Sequence, residues 1–361
     1  MKTFLTLFSL GLAWLASCIH AYGIDNSCAD QDLIQAAADS AVDMAAKALD
    51  AVEPPNGAAR DQNVERLLDL LFRGPVTLSL VDDGRLLRRI AGVFRGVAKF
   101  AGKTNMVQPA SAPTIADGVN IYCNVDRVLK RKNGDYADTS TGYILEDFDD
   151  SALNSCKTLS GDIAITWTPD ATEDGNLYYP SQVTLCPWFY QWGRSQSLQQ
   201  WSDLRTKSLL ATAVIPAVTK GWPFTPIDAI NLLDKVLLHE FTHTHACGGL
   251  RDVVMAKGGA PFFGVAYGWN AATTLARQDN AGLDNTPARN SDSYALFASG
   301  VRLLSKQPPV YIADDGKTVS TRPTKRDVPP EIQYPQTPAA FEGFITHLRA
   351  QRAVATAVEG T

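Results

Sequence analysis

The chain has 361 residues, is 45% hydrophobic and 20% charged, and carries a net charge of −5 at neutral pH. That composition is ordinary for a globular protein, and its acidic balance argues against nucleic acid or an anionic membrane surface as a partner. The length allows two domains.

The first residues read as an export signal. Met1-Lys2 gives a charged start, Phe4–Ala16 an apolar run too short to span a bilayer comfortably, and Ser17-Cys18-Ile19-His20-Ala21 a small-residue exit. A signal peptide over 1–21, cut near Ala21, predicts a secreted, extracellular protein with no membrane attachment after cleavage. The mature chain then keeps Cys28, Cys123, Cys156, Cys186 and Cys247. Five is odd, so at most two disulfides form, and one thiol is left over or pairs between chains. Connectivity stays open. No Asn-x-Ser/Thr acceptor occurs, so N-glycosylation is not expected.

Residues 22–104 read as an N-terminal helical segment, either a pro-region or a subdomain. An alanine-rich helix with an apolar stripe fits Asp30–Val52 and stops at Pro54-Pro55-Asn56-Gly57. A second helix fits Asp61–Phe72 and a third Gly84–Ala101. Arg85, Arg88, Arg89, Arg95 and Lys99 on the third read as a solvated face.

Residues 105–305 read as the catalytic domain. The hydrophobic period shifts toward two after Gly118. Val119–Val125 and Ile163–Thr168 read as strands, with turns at Asn133-Gly134-Asp135 and Asp174-Gly175-Asn176. Val183–Tyr190 reads as a further extended piece. Helices follow over Ser197–Val218 and from Pro226 onward, the latter opened by Thr225-Pro226 and carrying apolar residues at helical intervals.

That last helix ends in His239-Glu240-Phe241-Thr242-His243, the pattern H-E-x-x-H. Positions i and i+4 share a helix face, so His239 and His243 stand one turn apart, a spacing that suits two imidazole nitrogens on one zinc ion. Glu240 leans toward the same site and suits a general base acting on an activated water. His245 lies roughly 200° around the helix from His243 and points elsewhere. A catalytic zinc usually takes a third protein ligand. Gly248-Gly249 ends the helix and turns the backbone, so a carboxylate on the returning chain can reach the metal.

Further on, a helix fits Ala271–Arg277 and another starts at Asn290, with Asp or Ser as cap candidates. Residues 306–361 form a proline-rich tail with a short helix near Phe341–Ala353. There is no internal repeat and no phosphate-binding glycine motif.

Leu237–His243, Gly249-Leu250-Arg251-Asp252, Tyr267–Ala272 and Asn290–Ala295 together resemble the deuterolysin or aspzincin family of fungal zinc endopeptidases, which includes lysine-specific metalloendopeptidases. The resemblance covers about Leu237–Gly300. It implies an α+β, zincin-like fold, mostly helical, with a small mixed β-sheet and the H-E-x-x-H helix at the active site. It places the third zinc ligand at Asp252, matching the aspartate of the family's G-T-x-D-x-x-Y-G. Asp292 is the alternative third ligand; otherwise it lines the substrate pocket or caps its helix. Leu250 replaces the family's threonine, Met255 stands at its tyrosine position, and a Tyr-Gly pair comes only at Tyr267-Gly268. Tyr267 is accordingly the first choice for steadying the transition state, and Tyr294 the second. Ala295 stands where lysine-specific relatives carry an acid, so a lysine preference is not expected. The reading is a monomeric secreted zinc endopeptidase acting on protein or peptide substrates. Its alternative is a secreted non-catalytic zinc-binding or surface-antigen protein on the same fold, against which the intact Glu240 weighs.

Overall fold

A computed structural model describes residues 21–73, 83–100, 102–106, 118–145, 149–157, 162–169, 179–195, 225–229, 233–255, 265–277 and 286–323. The signal peptide, the Ser197–Val218 helix, the Asp174 turn and the Phe341–Ala353 helix lie outside these residues. The described part mixes helices with a small mixed sheet, an arrangement compatible with α+β. No helix among the described residues is long and apolar enough to cross a membrane.

The chain opens with strand β1 (Tyr22–Ile24) and helix α1 (Gln31–Val52). Asp30 caps α1 by accepting the Leu33 N–H at 3.2 Å. Leu33, Ile34, Ala37, Ala38, Ala41, Met44, Ala45, Ala48 and Val52 recur at three- and four-residue steps and form its buried face. The alanines let neighbouring helices come close, while fully burying Ile34 or Met44 contributes about 1.5–3 kcal/mol each. Helix α2 (Gln62–Leu68) runs into a π-helical turn over Asp69–Arg73, so the helix expected to reach Phe72 in one piece changes pitch at its end. Helix α3 (Asp83–Ala98) follows, then β2 (Lys103–Thr104) and β3 (Val119–Tyr122).

A hairpin sheet of β4 (Val128–Lys130), β5 (Tyr136–Asp138) and β6 (Ile144–Leu145) comes next. The buried Arg127 guanidinium joins it to the main sheet, donating to Asp138 at 3.0 Å and to Thr184 at 2.8 Å. Helix α4 (Asp150–Lys157), β7 (Ala164–Trp167), β8 (Ser181–Leu185) and α5 (Pro187–Ser195) follow. The extended piece expected over Val183–Tyr190 therefore stops at Leu185. Pro187 sets the backbone angle of a first helical residue and has no N–H to leave unpaired, so a helix begins there.

The main sheet runs β2-β1-β3-β8-β7. All neighbours are parallel except β7, which lies antiparallel to β8 at the outer edge. Helices α6 (Pro226–Ala229), α7 (Leu233–His243), α8 (Gly268–Arg277) and α9 (Ser291–Leu304) complete the body, and β9 (Tyr311–Ile312) pairs with β10 (Thr318–Val319).

Strand β1 sits in the sheet between β2 and β3, and α1 and α3 pack directly on α7. One core takes residues from α1, α2, α3, β3, β8, α7 and α9. Cys28–Cys123 ties the N-terminal segment to the end of β3 across 95 residues, and Cys156–Cys186 ties α4 to the end of β8 across 30. In the chain-entropy picture the longer loop gives about 4–5 kcal/mol. Cys247 is buried and belongs to neither disulfide. The start of the tail also belongs to the body: Ile312 is buried in the core, and Asp314 pairs with Arg66 on α2.

Candidate metal centre

Helix α7 carries His239 and His243 on one face, and the Gly248-Gly249 turn brings the third group back. Gly248 has φ +102°, a left-handed conformation natural to glycine. The Gly249 N–H then donates to Thr244 O at 2.9 Å and the Leu250 N–H to Thr242 O at 3.0 Å, which lays the returning chain along the end of α7. Asp252 follows two residues later.

Three atoms converge. His239 Nε2 and His243 Nε2 are 3.2 Å apart, and Asp252 Oδ1 lies 3.1 Å from the first and 3.6 Å from the second. Ligands about 2.05 Å from a tetrahedral zinc stand about 3.3 Å from one another, so this triangle has the size of one face of a zinc coordination shell. The protonation pattern fits as well. His243 Nδ1 lies 2.8 Å from Leu250 O, a pure acceptor, so Nδ1 carries the proton and Nε2 presents its lone pair. His239 Nδ1 faces Asp292 Oδ1 at 3.5 Å, which places its proton on that side too. Asp252 Oδ1 is buried and has no hydrogen-bond partner, while Oδ2 accepts from the Tyr267 hydroxyl at 2.6 Å. With a cation in place and both Nδ1 atoms protonated, His239 Nε2, His243 Nε2 and Asp252 Oδ1 would turn three lone pairs toward one point; without one, the proton held on His239 faces Asp252 in its stead. Such a buried cluster calls for a cation. The group His239, His243 and Asp252 can hold a metal ion.

The local field points the same way. Burial works against a charged His239, but Asp252 and Asp292 outweigh it and hold the imidazole well above its ordinary pKa. Burial opposes ionisation of Asp252 too, yet His239, His243 and the Tyr267 hydrogen bond keep it well below the usual carboxylate range.

Glu240 is almost fully buried, and its Oε2 accepts the Thr166 hydroxyl of β7 at 2.6 Å. Burial raises its pKa above the ordinary glutamate value, against the pull of His239 and His243. Tyr267 has its ring centre 5.9 Å from that of His239, and burial together with Asp252 keeps its hydroxyl protonated well above the ordinary value.

The two alternative candidates fall outside the triangle. Asp292 does not reach the triangle as a third ligand. Its Oδ2 accepts the Gly268 N–H at 2.6 Å, and its Oδ1 faces the nitrogen of His239 that points away from Asp252. Tyr294 lies away from the triangle, fully buried, donating to Ala288 O at 2.9 Å and packed edge-on against Phe72 and Phe94. It packs as a core aromatic. His245 points away as expected and contacts Pro169 O at 2.7 Å. Asn290 occupies the N-cap position of α9 but spends its side chain elsewhere, donating to Ala266 O at 3.0 Å and accepting from Val253 N–H at 3.2 Å.

Some members of the site carry no sequence signal. Thr166 is 74 residues from Glu240, and the Leu250 carbonyl and Gly268 amide are backbone groups. Only the strand pattern of Ile163–Thr168 and the glycine pair hinted at where they would fall.

No protein-family model matches the chain, and no curated protein matches it. Geometry alone therefore defines the class: a mixed α/β protein with a candidate metal centre of two imidazoles and one carboxylate.

Proposed function

We propose that the protein is a secreted zinc-dependent endopeptidase on a zincin-like α+β fold. The observation that carries this reading is the convergence of His239 Nε2, His243 Nε2 and Asp252 Oδ1 with Glu240 next in the helix. Two imidazoles and a carboxylate form a donor set typical of catalytic zinc, which leaves a fourth position open. A bound zinc ion would supply Lewis acidity, polarising a peptide carbonyl and making a water acidic.

The chain's own groups do the rest. Glu240 takes the proton of the attacking water and returns it to the leaving amine. Thr166 fixes the Glu240 carboxylate through a 2.6 Å hydrogen bond, so the base does not have to search for its orientation. Tyr267 keeps its proton and offers a donor that can turn from Asp252 to a developing oxyanion. Strand β7 carries Thr166 and is the outer strand of its sheet among the described residues. An extended peptide can pair with such an edge beside the base, which supports a protein or peptide substrate.

The test is a paired assay of zinc content and casein hydrolysis for the native chain and Glu240→Gln. Equimolar zinc in both, with hydrolysis lost only in the variant, is the expected result. Hydrolysis surviving in Glu240→Gln would remove the proposed base, and hydrolysis in neither protein would remove the peptidase reading.

A further inference from the structure

Asp292 sits in the first turn of α9, outside the triangle, yet it touches the supports of two of its corners. Its Oδ1 faces His239 Nδ1 at 3.5 Å, and its Oδ2 accepts the Gly268 N–H at 2.6 Å. Gly268 has φ +80°, the left-handed turn that begins α8. The residue before it is Tyr267, whose hydroxyl grips Asp252 Oδ2 at 2.6 Å. One side of the carboxylate therefore steadies His239 directly. The other side holds the turn from which Tyr267 reaches Asp252.

The turn has a second anchor, because Asp228 Oδ1 accepts the next amide, Trp269 N–H, at 2.6 Å. The other oxygen of Asp228 accepts the Thr225 N–H at 2.8 Å and the Thr225 hydroxyl at 2.9 Å, so this anchor ties the turn to the start of α6. Asp292 is the group common to both sides of the centre.

We propose that Asp292 is a positioning residue of the metal centre: a single carboxylate that aims His239 directly and Asp252 through the Tyr267–Gly268 turn. The chemistry accounts for an aspartate here. Both of its partners are N–H donors, and only a carboxylate offers two acceptor oxygens. Asparagine would satisfy one partner and present its own N–H₂ to the other, setting donor against donor in a buried place. Asp292 is 8% exposed, so water does not readily repair that mismatch.

The inference rests on the metal-centre reading, and its test separates the two. Zinc affinity is measured by competition with a chromophoric chelator for the native chain, Asp292→Asn, Tyr267→Phe and the double variant. Thermal melts of the zinc-free proteins and visible spectra of the cobalt-loaded proteins accompany it. Asp292→Asn should keep a native-like melt, bind zinc about 10–100-fold more weakly, as loss of an outer-shell partner does elsewhere, and show an altered cobalt spectrum. Tyr267→Phe should weaken zinc by less. The double variant should lose less than the two single losses combined, because Tyr267 acts on the path that Asp292 supports.

Native zinc affinity and cobalt spectrum in Asp292→Asn, or strictly additive losses, would overturn the inference while leaving the metal centre standing. Should Asp292→Asn fail to fold, Tyr267→Phe decides: unchanged zinc affinity there overturns it. A native chain that binds no zinc removes the metal-centre reading, and the inference with it.

Discussion

Helix α7 has two sides that obey different rules. Toward the core it turns Leu237, Leu238 and Phe241, all fully buried, with the Phe241 ring 5.2 Å from Phe100 and 6.4 Å from Tyr22. On the other side it turns His239, Glu240 and His243, whose polar atoms meet particular partners. The apolar side is held by area and volume, which many residue combinations supply. The polar side is held by direction: Leu250 O on one imidazole, Asp292 on the other, Tyr267 on the carboxylate, Thr166 on the glutamate. A change on the first side should therefore alter stability and spare the metal centre. A change on the second should alter the metal centre and largely spare stability.

The strongest break of this division is His239→Ala. It removes one corner of the triangle and should abolish both zinc binding and hydrolysis, while the circular-dichroism spectrum stays native. Retained stoichiometric zinc would show that the corner is dispensable. On the opposite side, Phe241→Ala empties a core position and should lower stability by about 3–5 kcal/mol in denaturant titrations. The molecules that remain folded should bind zinc with native affinity; a parallel loss of affinity would mean that the two sides are coupled.

A subtler probe lies where α3 crosses the turn after α7. A Cβ at Gly96 would stand 2.5 Å from Ala246 O and 2.8 Å from Cys247 Cα, both backbone atoms that have to shift. Gly96→Ala should lower stability by about 1–3 kcal/mol through overpacking, with the melting temperature falling accordingly. Because the shifted turn leads into Leu250 and Asp252, a small fall in zinc affinity should accompany it.

The smallest effect concerns pH in the zinc-free protein. His239 has a raised folded pKa, so its contribution is fully present below its unfolded value of about 6.5 and fades as pH rises through the folded value. Asp252 has a depressed folded pKa, so its contribution is present above its unfolded value of about 3.9 and fades as pH falls through the folded value. Melts in chelator should show a stability plateau between those limits and a decline on its alkaline side. His239→Asn should remove the decline that this ring causes.

Legibility followed the same division. The shared face of His239 and His243 follows from helix geometry alone, and the glycine pair after the helix told where the chain would return. The alanine stripe of α1 was plain for the same local reason. Strand β1 was not, because Tyr22-Gly23-Ile24 is too short to show a period and is defined by its neighbours β2 and β3. The aromatic run after Pro187 carried residues at home in either a strand or a buried helix, and the proline decided. Asp292 was legible as an acid of interest but not as a bridge, since its partners are a ring nitrogen 53 positions back and a backbone amide. Tyr294 was drawn toward the site by its neighbour Asp292, yet on a helix two residues lie on different faces, and its face is the core.

The central claim is the triangle itself, and X-ray absorption at the zinc edge tests it most directly. Protein loaded with one equivalent of zinc should show only nitrogen and oxygen neighbours at about 2.0–2.1 Å, with the multiple scattering of two imidazoles, and His243→Ala should lose one of them. A sulfur neighbour at about 2.3 Å, or a shell unchanged by His243→Ala, would contradict it.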